Sequence, residues 1–183
     1  MKLRVLGAMA CALMAGHAMA EEGFPKGYAG IGYLLAEYEE EGIDDSFDVG
    51  ALYGQAGVNV NPYVAGELRL GVGVGDDTTE VYGASVDVEL KTLAGLYGKV
   101  GLPNQTPIYP YVVAGISHIE IEASASSGYR SATFSDSGSD ESYGIGANLD
   151  LADRFAVNVE YMQYYDKEGV EIAGLSIGGQ LKF

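Results

Sequence analysis

The chain has 183 residues, of which 10 are Lys or Arg and 26 are Asp or Glu, for a formal net charge of −16. Such an excess of acid opposes nucleic acid, which is held by a cationic footprint. The length allows about one domain, and a hydrophobic content of 48% excludes general disorder.

Residues 1–20 read as a secretory signal peptide. Lys2 and Arg4 form a basic start, Val5 to Ala15 is apolar or small, and Ala18-Met19-Ala20 is a small-x-small cleavage site. The mature chain is then residues 21–183, two charges more acidic and without its single Cys, Cys11. Disulfides and Cys-ligated metals are thereby excluded.

Beyond residue 20 the pattern has period 2. In chain order, eight segments alternate near 27–38, 47–60, 63–75, 82–100, 108–122, 141–151, 154–166 and 170–183. Val64, Gly66, Leu68, Leu70 and Val72 oppose Ala65, Glu67, Arg69, Gly71 and Gly73. Val86, Val88, Leu90, Thr92, Ala94, Leu96, Gly98 and Val100 oppose Asp87, Glu89, Lys91, Leu93, Gly95, Tyr97 and Lys99. A strand places successive side chains on opposite faces, so each segment is a two-faced strand. The fifth is the least regular, being apolar on both faces from Tyr111 to Ile116.

The connections alternate too. Asn61-Pro62, 102–107 and Ala152-Asp153 are tight turns built on Pro, Asn and Asp. The segments 39–46, 75–80, 123–142 and 166–169 are acidic or rich in Ser and Gly, and most are longer. This predicts an all-β fold, an eight-stranded antiparallel up-and-down barrel with short turns at one end and loops at the other. Outer-membrane barrels have that asymmetry.

Alternation alone does not say which face is wet. A lipocalin-like periplasmic barrel would turn the charges out. Three features favour a transmembrane barrel with lipid outside: the long strands, the small and polar opposing face (Gly30, Gly32, Gly71, Gly73, Gly144, Gly146), and the final alternation Leu175, Ile177, Gly179, Leu181, Phe183. Tyr33, Tyr38, Tyr53, Tyr63, Tyr82, Tyr97, Tyr109, Tyr143, Tyr161 and Tyr165 lie toward strand ends, where aromatic girdles would use them.

The leader, the first strand Gly27-Tyr-Ala-Gly-Ile-Gly-Tyr33, the turn and strand from Val58 to Leu68, and the strand Asn158-Val-Glu-Tyr161 resemble the small outer-membrane β-barrel family of the OmpX and OmpA transmembrane-domain type. The resemblance spans the mature chain. It implies export through the Sec pathway and location in the Gram-negative outer membrane. It further implies contact with outer-membrane lipid and lipopolysaccharide, and a monomeric state. The end of the chain, Leu181 to Phe183, resembles the family's signal for the barrel assembly machinery. The family shares architecture rather than chemistry.

An eight-stranded barrel is narrow enough for side chains to fill. The inward set is expected to include Gln55, Asn59, Glu67, Arg69, Glu89, Lys91, Lys99 and Glu160, with Asp87, Asn158, Gln180 and Lys182. Buried charges persist when paired, so this set predicts a plug of ion pairs, with Arg69 and Lys91 bonded to Glu67, Glu89 or Glu160. The loops are expected to be a solvated acidic surface, with 123–142 a loose tip or an adhesive hairpin that faces a host surface or other extracellular ligand.

No cofactor or metal motif is present, and Ser117 lies on the strand face opposite His118, the single His of the mature chain, so the neighbouring residues offer it no nucleophile. A Ser from the third loop is the one candidate. The expected role is therefore non-enzymatic: envelope integrity or adhesion. A narrow channel or a transporter of small hydrophobic molecules is the alternative, and a lipid A-modifying enzyme a distant third.

Overall fold

Alternating side chains commit each segment to extended backbone, and a lone hairpin is too weak to persist, so the strands must pair around a closed circuit. The computed structural model describes residues 26–40, 47–74, 77–81, 84–127, 130–167 and 170–183. The predicted leader lies outside the described residues, as do 41–46, 75–76, 82–83, 128–129 and 168–169 of the expected loops and strands.

Nine strands run β1 (Gly27–Glu40), β2 (Phe47–Asn59), β3 (Val64–Gly73), β4 (Asp77–Val81), β5 (Ala84–Gly101), β6 (Ile108–Ser127), β7 (Arg130–Ala152), β8 (Phe155–Lys167) and β9 (Val170–Lys182). All pairs are antiparallel between neighbours, with β1 on β9 and β3 on β5 closing the circuit. Eight strands form the barrel. The ninth, β4, is a short strand that pairs with the start of β5 beyond the end of β3. The ends of the circuit are stitched by two backbone bonds between Gly27 and Phe183, both 2.9 Å.

The tight turns are made by amides. Asn61 Oδ1 accepts from the backbone N–H of Tyr63 (2.8 Å) and Val64 (2.9 Å). Asn104 Oδ1 accepts from Thr106 N (2.7 Å), and its Nδ2 donates to the Ile108 carbonyl (2.8 Å). Such side chains mimic a backbone turn and stop the strand.

The third loop takes the hairpin form, one of the two expected for it, and lengthens both strands. Residues 123–127 continue β6 and 130–142 belong to β7, paired down to Ser127↔Arg130. Backbone pairing does not need an apolar face, and this Ser-rich stretch lacks the Pro that would break the ladder. The β7–β8 ladder begins only at Tyr143↔Gln163, so β4 to β7 stand as a sheet above the rest of the rim.

Ile31, Leu35, Leu52, Leu70, Val72, Leu96, Val100, Val112, Ile116, Ile145, Val159, Leu175, Ile177 and Leu181 point outward and are exposed. This band encircles the barrel and gives way to Glu37, Glu141 and Glu171 toward the loop end. Tyr63 and Tyr143 flank it and Tyr33 and Tyr161 lie within it, but Tyr53 and Tyr97 do neither. They belong to the opposite parity and are buried inside with Tyr28, Tyr111 and Tyr164.

Three of the inward rings occupy space vacated by glycine. Tyr28 lies across its register partner Gly57, Tyr53 across Gly32 and Tyr111 across Gly146. A Cβ at any of the three glycines would meet the ring. These three inward glycines are thus seats for aromatic side chains, not empty lumen.

Candidate functional site: a sealed barrel interior and an outer cleft

The turn-side half of the interior holds four charges. Glu67 and Arg69 come from β3, Lys99 from β5 and Glu160 from β8. Arg69 Nε donates to Glu67 Oε1 (2.6 Å), and its two Nη atoms take both oxygens of Glu160, with Nη2 to Oε2 at 3.0 Å. Lys99 Nζ donates to Glu67 Oε2 (2.6 Å) and lies 3.8 Å from Glu160 Oε2. Tyr28 Oη donates to the same Glu67 oxygen (2.6 Å).

Two cations and two carboxylates therefore balance. Both carboxylate side chains and the guanidinium are fully buried, and the Lys99 side chain is nearly so. The Arg69 guanidinium lies 4.8 Å from the Tyr97 ring centroid and 5.5 Å from that of Tyr53, and Lys99 Nζ lies 4.5 Å from that of Tyr111. Ring faces attract cations, and these replace part of the lost hydration. Gln55 Nε2 reaches Asn158 and Gln180, both at 3.5 Å. Asn59 sits lower, on the wall of a cavity of about 690 Å³ at the turn end, with Asn148 and Lys182.

Glu89 and Lys91 do not join this network. Leu90 pairs with Ile121 and Thr92 with Glu120, so Lys91 is the extra residue of a β-bulge. A bulge reverses the parity of the strand beyond it. Leu90 turns inward and is buried. Lys91 instead bonds Glu89 (2.7 Å) and approaches Glu122 (3.4 Å) in a partly exposed trio. The side chain of Asp87 lies outside the described residues.

The loop-side half of the interior is apolar, which period 2 did not announce. Leu34, Val49, Leu90, Leu93, Ile119, Met162, Tyr164 and Ile172 are buried there, with Met162 Sδ 3.3 Å from Arg69 Nη1. Beside this contact lies a group of hydroxyls. Tyr97 Oη and Ser142 Oγ are each 2.7 Å from Ser117 Oγ, and Ser142 Oγ donates to the Tyr164 carbonyl (3.1 Å). The lumen is thus closed twice, by an ion network and by an apolar plug. Residues such as Leu93, Met162 and Ile172 sit in the "polar" parity of their strands, so only their height shows where they pack.

Above the plug, the inner face of the β6–β7 sheet and the tops of β1, β8 and β9 enclose a cleft of about 300 Å³. Asp140 at this rim pairs with Lys167 and accepts from the backbone N–H of Asp166 (3.0 Å) and Glu141 (2.8 Å). On the outside, His118 Nδ1 lies 2.9 Å from Ser139 Oγ, both residues exposed. Ser139 is the third-loop serine the sequence left open, brought there by the register His118↔Ser139. Among the described residues, no group of His, Cys, Asp and Glu is arranged to hold a metal ion.

A closed eight-stranded barrel with an apolar outer band and a filled interior is a small integral-membrane β-barrel. The family model described as outer membrane protein beta-barrel domain matches residues 6–183, and the chain belongs to that family. It is a protein of the outer membrane.

Solved structures agree on the fold. Neisserial surface protein A (NspA) has a TM-score of 0.65 at 16% identity, covering 88% of this chain and 100% of that one. Ail, the attachment invasion locus protein of Yersinia pestis, has a TM-score of 0.63 at 15% identity, covering 87% and 99%. Ail was also solved in complex with the heparin analogue sucrose octasulfate, a structure with a TM-score of 0.57 at 16% identity, covering 86% and 99%. A search of curated proteins by sequence finds no match.

Proposed function

We propose that this protein is a non-conducting barrel whose work is done at its outer face, in envelope integrity or adhesion through the raised β4–β7 sheet and its acidic rim. The observation that carries this reading is the double closure of the lumen beneath a sheet that extends past the rim. A solute entering from the turn-end cavity meets Lys99, Glu67 and Arg69, and behind them the apolar plug.

The partner is expected to be neutral or cationic. Sucrose octasulfate, which Ail binds, is a polyanion, and this chain has a net charge of −16. Like-charge contact at an interface disfavours binding. Leu181 and Phe183 are exposed on the outward face at the end of β9, in keeping with a role as the signal for the barrel assembly machinery. The continuous apolar band supports a monomer surrounded by lipid and lipopolysaccharide.

Planar-bilayer recording of the purified protein tests the closure. No steady conductance steps are expected. Steady steps that scale with salt would replace this reading with that of a narrow channel.

A further inference from the structure

The outer cleft has the composition of a small-molecule site. Its volume of about 300 Å³ lies at the lower end of the usual range of roughly 300–1,000 Å³. Three aromatic rings line it: Tyr38, Phe134 and Tyr165. Ile119 and Ile172 are both part of the buried plug, so the cleft is a dead end and not the mouth of a passage.

Its charges are unevenly engaged. Lys167 pairs with Asp140 and donates to the Ser139 carbonyl (3.3 Å), so its charge is already committed within the chain. Asp136 lines the cleft, accepts a bond from the backbone N–H of Ser137 (2.8 Å), and has no cation paired with it among the described residues. An open carboxylate in a cleft lined by three aromatic rings attracts positive charge twice, by Coulomb attraction and by the ring quadrupoles. The acidic surroundings raise the local concentration of cations.

We propose that this cleft binds a small apolar cation, an alkyl- or arylammonium molecule, with its apolar body against Ile119 and Ile172 and its charge between Asp136 and the rings. This goes beyond the surface role proposed above, and it holds or fails independently of conductance.

The test uses the full mature chain in nanodiscs of digalactosyl-diacylglycerol, a neutral lipid without ammonium groups. Hexyltrimethylammonium, hexanol and hexanoate are titrated, with the methyl NMR signals of Ile119, Ile121 and Ile172 as the readout. Hexyltrimethylammonium is expected to give saturable shifts and to bind at least about threefold tighter than hexanol, the margin of an exposed cation–π contact. Hexanoate is expected not to saturate. Asp136→Asn should weaken binding of the ammonium compound and leave that of hexanol unchanged, and Phe134→Ala should weaken both. Both side chains are exposed, and an unchanged shift in gel mobility on heating shows that each variant is folded. Absence of saturable shifts, equal binding of hexanol or hexanoate, or an unaffected Asp136→Asn or Phe134→Ala variant would each overturn the proposal.

Discussion

Arg69 and Glu160, 91 residues apart in sequence, meet across the diameter of the barrel through a two-pronged ion pair. They belong to β3 and β8, which lie four strands apart in the eight-strand circuit in either direction. Removing one partner leaves a buried charge uncompensated. Arg69→Ala is therefore expected to destabilise the barrel by roughly 3–5 kcal/mol. Replacing both, as Arg69→Met with Glu160→Leu, should recover most of that loss, because Lys99 still pairs with Glu67. Lys91→Ala is the control: its trio is partly exposed, and the midpoint should not move. Urea unfolding in lipid vesicles, read by gel mobility, gives all three values.

Gly32 and Tyr53 face each other inside β1 and β2, the ring lying where a Cβ would stand. Gly32→Val therefore overpacks this layer, at a cost of about 1–3 kcal/mol. Combining it with Tyr53→Ala should restore part of the stability, since the added methyls then fill vacated space. A double-mutant cycle in the same unfolding assay measures the coupling; strict additivity would show that the ring and the glycine do not share that space.

Asp140 lies on β7 between the outward polar residues Ser139 and Glu141, above the apolar band. The Lys167 hydrogen bond holds its carboxyl below its ordinary value, aided by the backbone N–H groups of Asp166 and Glu141 and resisted by burial. A depressed folded value means that the stabilisation is complete above the ordinary carboxylate pKa of about 3.9 and lost as pH falls through the folded value. The same bond raises Lys167, so its contribution is complete below the ordinary lysine value of about 10.4 and lost as pH rises through the folded one. Exchange protection of the Asp166 amide should thus be constant through neutral pH and fall in acid. Asp140→Asn should remove the acid step; a step of equal size in that variant would assign it to another carboxylate.

His118 and Ser139 share one hydrogen bond on an open face. A nucleophile of this kind needs an orienting group for the base and donors for the oxyanion, and Ser139 is the hydrogen-bond partner of His118 among the described residues. His118→Ala is expected to leave lipid A composition unchanged and stability within about 0.5 kcal/mol. Mass spectrometry of lipid A from cells with and without the variant checks this; a lost acyl chain that returns only with His118 would make the pair catalytic.

The eight strands of the barrel wall, their circuit and the outward apolar band were legible in residue order, because a strand's period of two is a local property of extended backbone; β4 and the upper parts of β6 and β7 were not. The inward parity of Gln55, Glu67, Arg69, Lys99 and Glu160 was legible for the same reason. Only the tertiary structure decided the rest. The extra residue at Lys91 reversed the parity of β5 above it and carried Glu89 and Lys91 to the outside, and nothing in the alternation marks where a ladder slips. Leu93, Met162 and Ile172 alternate with the lipid-facing residues as polar ones would, yet they form the plug, because closure of the circuit sets which side chains share a height. Arg69 was committed to Glu160 rather than Glu89 by position on the ring. That separation is a property of the closed barrel, and sequence distance does not encode it.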